Sequence, residues 1–347
     1  MNRMNGARKA LTRSLAAILG LLLGSLGAVQ AQPPVAGPSS TDAKVSDRSV
    51  SEWLMRMHEA SRGRAYVGTF VVLAGGTLSS ARIWHVCDGE QQVERVESLT
   101  GAPRSTFRRN DQVMTFLPES RVVVEEKRES LGLFPNFLQS GDSSIAQFYR
   151  AHATKGERVA GFDADVLNLR PQDAWRFGYR VWSERRTGLV LKLQTLDGQG
   201  RVLEQAAFSE LQLDVPVSLA SLSQMMEKTA GYRIEKPELV KTTAVAEGWV
   251  LKNTVPGFQS MSCYKRPAAG AGDAHHKTLQ WIFSDGLASV SLFVEAFDPR
   301  RHTQPVNWAM GATHTLTRRI GGWWLTVVGE VPPLTLDAFA QGLERQK

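Results

Sequence analysis

The sequence predicts a mainly β protein of the α+β class. A large half-open antiparallel β-barrel with covering helices comes first, and a smaller β-rich unit ending in a helix follows. Three observations carry this reading. Beyond residue 65 most apolar residues recur with a period of two. Turn pairs such as Gly75-Gly76, Asp88-Gly89, Asn110-Asp111, Asp197-Gly198, Asp285-Gly286 and Gly321-Gly322 break that pattern into short runs. Helical spacing is confined to a few short stretches.

The first such stretch opens at Ser49-Val50-Ser51-Glu52, which fits a capping box. Val50, Trp53, Leu54 and Met57 follow at helical spacing, so an amphipathic helix is expected to about Ala60. Strands are then expected near 66–73, 79–87, 91–98, 105–109, 112–117 and 121–127. A second group falls near 158–160, 164–170, 175–183, 189–196 and 202–213. Within Trp175–Ser183, Trp175, Phe177, Tyr179 and Val181 alternate with Arg176 and Arg180. That alternation assigns the arginines to a wet face. About eleven antiparallel strands and one helix suggest a curved sheet with the helix across its concave side.

Residues 128–156 interrupt the strands with the apolar but Gly- and Pro-broken run Leu131 to Leu138, then a helical turn near Ser143–Tyr149. Such a segment either covers ordinary core or forms a lid over a hydrophobic cleft. Val215–Val245 has weak periodicity and reads as a connector with a helix near Ser221–Lys228. The last unit is expected to hold strands near 248–254, 258–265, 278–284, 287–296, 313–320 and 323–331, then a helix over Leu336–Leu343. The expected division is therefore 1–31 leader, 32–48 tether, 49–213 large domain, 214–246 connector and 247–347 small domain.

The leader reads as a secretory signal. Arg3, Arg8, Lys9 and Arg13 precede the apolar run Leu15–Val29, and Val29-Gln30-Ala31 offers cleavage after Ala31. The whole chain carries 41 basic and 34 acidic residues, net +7; without the four leader cations the balance is 37 against 34, or +3. Most of the basic character leaves with the leader, so no nucleic-acid partner is expected. Gln32–Asp47, rich in Pro, Ser and Ala, reads as a disordered tether. The two cysteines, Cys87 and Cys263, are expected as separate thiols.

Catalytic chemistry is sought and not found. Ser262-Cys263-Tyr264-Lys265 fits Ser-x-x-Lys, but Ser262 falls in an expected strand and the companion motifs are out of order. No nucleophile elbow, P-loop or dinucleotide fingerprint occurs. The seven histidines do not converge at ligand spacing, so neither metal nor other cofactor is expected. Arginine pairs at 108–109, 185–186, 300–301 and 318–319 lie at expected turns. They serve either solubility or recognition of phosphate or an acidic peptide.

Several segments in this order resemble the RseB/MucB family. They are Tyr66-Val67-Gly68-Thr69-Phe70, Arg158-Val159-Ala160-Gly161, Pro171-Gln172-Asp173, Phe177-Gly178-Tyr179-Arg180, Val255-Pro256-Gly257-Phe258, Phe283 to Ser289, and Val327 to Pro332. The resemblance implies a first domain similar in fold to the carriers LolA and LolB. It implies a periplasmic, non-enzymatic negative regulator of an envelope-stress sigma factor. Such a protein would bind the periplasmic domain of an RseA/MucA-like anti-sigma factor, shield it from proteolysis, and let go on binding lipopolysaccharide or another acylated lipid. A lipoprotein or lipid carrier is the rival reading, and homo-oligomers remain open. On this basis Phe134, Phe137, Leu138 and Phe148 are candidates for the lipid cavity or its lid. Candidates for the anti-sigma surface are Ser284, Asp285, Gly286, Leu287, Phe293 and Glu295 on one hairpin, and Trp323, Trp324 and Glu330 on the next strand.

Overall fold

A computed structural model describes residues 48–127, 145–267 and 277–346. The leader, nearly all of the tether, and Phe134, Phe137 and Leu138 lie outside the described residues. After helix α1 (Val50–Gly63) come β1 (Tyr66–Ala74), β2 (Thr77–Cys87), β3 (Gln92–Ser98), β4 (Ser105–Arg109), β5 (Gln112–Leu117) and β6 (Val122–Lys127). The short α2 (Ile145–Phe148) leads into β7 (Tyr149–Val159), β8 (Phe162–Pro171), β9 (Gly178–Glu184), β10 (Val190–Leu196) and β11 (Val202–Leu213). Helix α3 (Leu219–Met226) and strands β12 (Arg233–Glu235) and β13 (Val240–Lys241) form the connector.

The large sheet has twelve strands in the order β12-β6-β5-β4-β3-β2-β1-β11-β10-β9-β8-β7. Its two ends do not pair, so the barrel stays open as expected. The centre is the antiparallel pair β1–β11, which joins Tyr66 to Leu213 and carries a bulge at Thr69/Phe70. Ser49 and Glu52 close the expected capping box, each bonding the other's backbone amide. Trp53, Leu54 and Met57 on α1 are buried against Leu167, Leu169, Val181 and Leu193, while Ala60 reaches the neighbouring cluster of Phe70, Ile83 and Phe208. The helix thus fills much of the sheet's hollow with its own side chains.

The second part holds β14 (Trp249–Leu251), β15 (Gln259–Pro267), β16 (Lys277–Ser284), β17 (Ser289–Ala296), β18 (Asn307–Met310), β19 (Thr313–Ile320), β20 (Trp323–Gly329), helix α4 (Pro333–Gly342) and β21 (Leu343–Arg345). Seven strands run β13-β15-β16-β17-β20-β19-β18. Their buried face, including Leu292, Val294, Leu325 and Val327, packs with Leu336 and Phe339 of α4. Strands β14 and β21 pair separately, so the chain's end returns to the start of this unit. The helix expected over Leu336–Leu343 is shifted: Pro at its first turn starts it earlier, and Leu343 already belongs to β21. Cys87 and Cys263 are free thiols.

Three departures have physical causes. Strand β7 starts at Tyr149, well before the expected 158, because Ala151, Ala153 and Thr154 are too small to show a strong alternation. Strand β12 pairs β6 in parallel, a register that leaves no turn signal in the sequence. The strand expected from Trp175 begins only at Gly178, since Asp173 Oδ1 accepts the Trp175 amide and bends the chain. Leu54, a fully buried residue of α1, is expected to cost about 3 kcal/mol on replacement by Ala, read as a lowered denaturation midpoint with an unchanged slope.

Candidate functional site at the junction of the two sheets

The bend at residues 172–177 brings the two sheets together. Arg176, assigned to a wet face by alternation, is instead fully buried as a side chain, as is Asp285. Its Nη1 donates to Asp285 Oδ2 at 2.9 Å, its Nε to Asp173 Oδ1 at 3.0 Å, and its Nη2 to the Pro256 carbonyl. The guanidinium lies 4.3 Å from the Phe148 ring centre and 5.4 Å from that of Phe258. One cation therefore ties the β8–β9 bend, the turn before β15 and the β16–β17 hairpin.

Asp285 is held from the other side as well. Its Oδ1 accepts the amides of Leu287 at 2.9 Å and Ala288 at 2.8 Å, and the Tyr149 hydroxyl lies 3.5 Å from Oδ2. Burial pushes the Asp285 carboxyl up, against the pull of those amides and of Arg176. Burial also drives the Tyr149 phenol well above its ordinary value. Two glycines make the approach possible. A Cβ on Gly257 (φ 83°) would sit 2.8 Å from the Phe148 ring and 3.0 Å from Arg176 Nη1. One on Gly286 (φ 96°) would meet Ile145 of α2 at 3.1 Å. Leu287 joins the cluster of Trp53, Leu54, Ile145 and Tyr149, so α1, α2 and the hairpin tip share one buried cluster, with α2 against Gly286. Trp175 packs on the core of the second unit, and Thr335 Oγ1 of α4 donates to its carbonyl at 2.7 Å.

A second contact lies on β11. The Ala312 amide donates to Glu204 Oε2 at 3.4 Å, and a Cβ on Gly311 (φ 61°) would fall 2.8 Å from that oxygen. Burial raises the Glu204 carboxyl above its ordinary value. Glu330 is raised first by desolvation and then by Glu204, although its side chain keeps solvent contact that damps both effects.

The predicted surface residues therefore divide. Ser284 shapes the hairpin turn, donating to the Ala288 carbonyl and accepting the Gly286 amide, and with Asp285, Gly286, Leu287 and Glu330 it sits at the junction end. Glu295, Trp323 and Trp324 lie at the other end of the same strands, about 20 Å away at 3.3 Å per residue. There Glu295 holds Arg301 and His302, and Trp324 stacks on His302 with centres 4.9 Å apart. Trp323 lines a cleft of roughly 320 Å³ with Trp249, Leu279, Val294 and Arg345. Phe293 is half-buried between the two ends. Phe148 belongs to the Arg176 site. Arg176, Tyr149 and Glu204 were not singled out in the sequence. Their partners lie far along the chain, 109 residues away for Arg176 and Asp285.

Two predictions follow from this geometry. Arg176→Ala leaves Asp285 buried without its partner and should cost about 3–5 kcal/mol in chemical denaturation; Arg176→Lys should not restore it, because the three N–H bonds of an ammonium leave one nitrogen and cannot reach acceptors spread around the planar guanidinium fork. A carboxyl raised in the folded state binds protons the unfolded chain has already lost, so its penalty is present at neutral pH and fades as pH falls to the unfolded value of 4.5. Because the Glu330 side chain is exposed, Glu330→Gln should raise the thermal midpoint at pH 7 only slightly, with the difference vanishing below about pH 4.

A family model described as the MucB/RseB N-terminal domain matches residues 49–226, and one described as the MucB/RseB C-terminal domain matches 243–344. The Pseudomonas aeruginosa sigma factor AlgU regulatory protein MucB is 30% identical over 92% of this chain and 94% of its own length. The sigma-E factor regulatory protein RseB of Escherichia coli K12 is 21% identical, over 84% of this chain and 89% of that protein. Among solved structures, MucB in complex with MucA(peri) superposes with a TM-score of 0.67 at 26% identity, covering 86% of this chain and all of that one. A crystal structure of MucB gives 0.61 at 24% identity, over 85% of this chain and 98% of that one. With both of its parts matched in order, the chain belongs to the MucB/RseB family of sigma-factor regulatory proteins.

Proposed function

We propose that this chain is a periplasmic negative regulator of an envelope-stress sigma factor. It acts by binding the periplasmic domain of a membrane-spanning anti-sigma factor and shielding it from proteolysis, until an acylated lipid such as lipopolysaccharide releases it. The observation that carries the partner is the near full-length likeness to MucB in the complex with MucA(peri). No helix among the described residues is long and apolar enough to cross a membrane.

The junction suggests how lipid and peptide would be coupled. Acyl chains entering the hollow of the large sheet would displace side chains of α1, chiefly Trp53, Leu54 and Met57. That same cluster contains Ile145 and Leu287, and so supports the hairpin that carries Asp285. Re-exposing three large apolar side chains sets a gap of roughly 6 kcal/mol between the two states, and a 99:1 majority of the open state needs about 2.7 kcal/mol beyond it, half of the roughly 5.5 that inverts a 99:1 population. One chain of ten methylenes returns about 8 kcal/mol gross, less than the sum, so a lipid with two or more chains is required. The partner would lie on the second unit, where Phe293 and Glu295 are the members of the predicted surface that share one outer face and are not used by the junction; Trp324 is buried beside them and Trp323 faces the core cluster.

Digestion of the anti-sigma periplasmic domain tests this reading. Cleavage should slow when the chain is present and recover when multiply acylated lipopolysaccharide fragments are added, but not when a single-chain fatty acid is added. Equal cleavage in all mixtures would defeat the proposal.

A further inference from the structure

The outermost strand of the seven-stranded sheet stands apart from every other edge. Strand β18 pairs only with β19, so its outer row of amides and carbonyls has no strand partner among the described residues. Edges are normally guarded by charge, proline or shortness. Strand β7, at one end of the large sheet, carries Arg150, Glu157 and Arg158; β12, β14 and β21 are only three residues long and β13 only two. Strand β18 (Asn-Trp-Ala-Met) has no charge and no proline. Val306, Trp308 and Met310, two apart on one face, are 48%, 52% and 47% exposed.

The surrounding charge selects the occupant. The segment 297–320 holds four arginines and one aspartate. Arginine pairs elsewhere are spent within the fold: Arg108 on Glu94, Arg109 on Glu227, Arg185 on Asp165 and Arg186 on Glu184. Of the four arginines in this segment only Arg301 is in an ion pair among the described residues, on Glu295, while Arg319 donates to the Gly321 carbonyl and lies over the Phe297 ring and Arg318 reaches the Ala340 carbonyl, contacts that leave their charge unneutralised. Arg300, Arg318 and Arg319 enter no ion pair among the described residues.

We infer that β18 is a strand-addition edge that takes an extended, acidic stretch of polypeptide. Its backbone would continue the sheet, its apolar side chains would meet Val306, Trp308 and Met310, and its carboxylates would face Arg300 and Arg319. A second copy of this chain would bring the same arginines against each other, which the charge disfavours. The inference rests on the proposed function, since it takes the anti-sigma domain as the source of that polypeptide.

The test uses the full chain and the periplasmic domain of the same organism's MucA-type anti-sigma factor. Binding is titrated for the unaltered chain and for Trp308→Lys with Met310→Lys, and for Arg300→Glu; circular dichroism checks that these surface variants fold. Amide exchange of residues 307–310 is followed with and without the partner. We expect the double variant to weaken binding at least about tenfold, as for a central tryptophan anchor, Arg300→Glu to weaken it and flatten its salt dependence, and the β18 amides to become protected. Unchanged affinity with unprotected amides overturns the edge but leaves the proposed function standing. Unchanged partner affinity with lost self-association makes β18 a contact between copies and also overturns it. Failure of the unaltered chain to bind the partner at all overturns the proposed function itself.

Discussion

A single guanidinium organises the meeting of the two sheets. Arg176 has no water to share its charge, and each of its three donor directions ends on a different segment. A buried cation is tolerated only when it is fully partnered, so the partners must arrive together. Asp173 bends the chain that carries Arg176, Gly257 lets the Pro256 carbonyl approach, and the Asp285 turn presents its second oxygen. The geometry is all-or-none in character. Loss of any one segment leaves a charge in a place where it cannot stay.

The same arrangement is what the proposed coupling would use. Leu287 and Ile145 share a cluster with the α1 anchors, and Gly286 fits closely against Ile145. Under the proposed function a disturbance beneath α1 would pass through that cluster to the hairpin that bears Asp285, and along β17 toward Glu295. Close-packed interiors behave this way because they have few intermediate arrangements. Coupling by packing alone would be soft. Coupling through a buried ion pair has two discrete states, partnered and unpartnered.

Much of the fold was legible because its signals are local. Ser49 with Glu52 marks the first helix, and Asp-Gly and Gly-Gly pairs mark hairpins, each within a few residues of what it controls. The open sheet, the few helices and the second β unit followed from these. Strand β12 was not legible, since its parallel partner β6 lies far back in the chain. Nor was β18, which is short and exposed on every residue and so has no buried alternation to read. The site was legible only in pieces. Asp285-Gly286, Val255 to Phe258 and Pro171-Gln172-Asp173 stood out as family-like segments, and all three converge on the junction. What joins them, Arg176, read as an ordinary solvent-facing residue of an alternating strand. Period-two alternation records which face a side chain takes, but not what another part of the chain will lay against that face.

Each unit is also stitched shut by its own extremities. The middle of the large sheet is made by β1, its first strand, and β11, the last of its antiparallel run. The second unit is closed by β14 and β21, its beginning and the last strand of the chain. A polypeptide threading through a membrane from its N-terminus would therefore present a row of unsatisfied strands on the far side, and neither half could lock until its closing strand had crossed. In a chain exported as proposed, folding would be timed by translocation, and the Arg176 junction, which needs the Asp285 hairpin, would form only near the end of that passage.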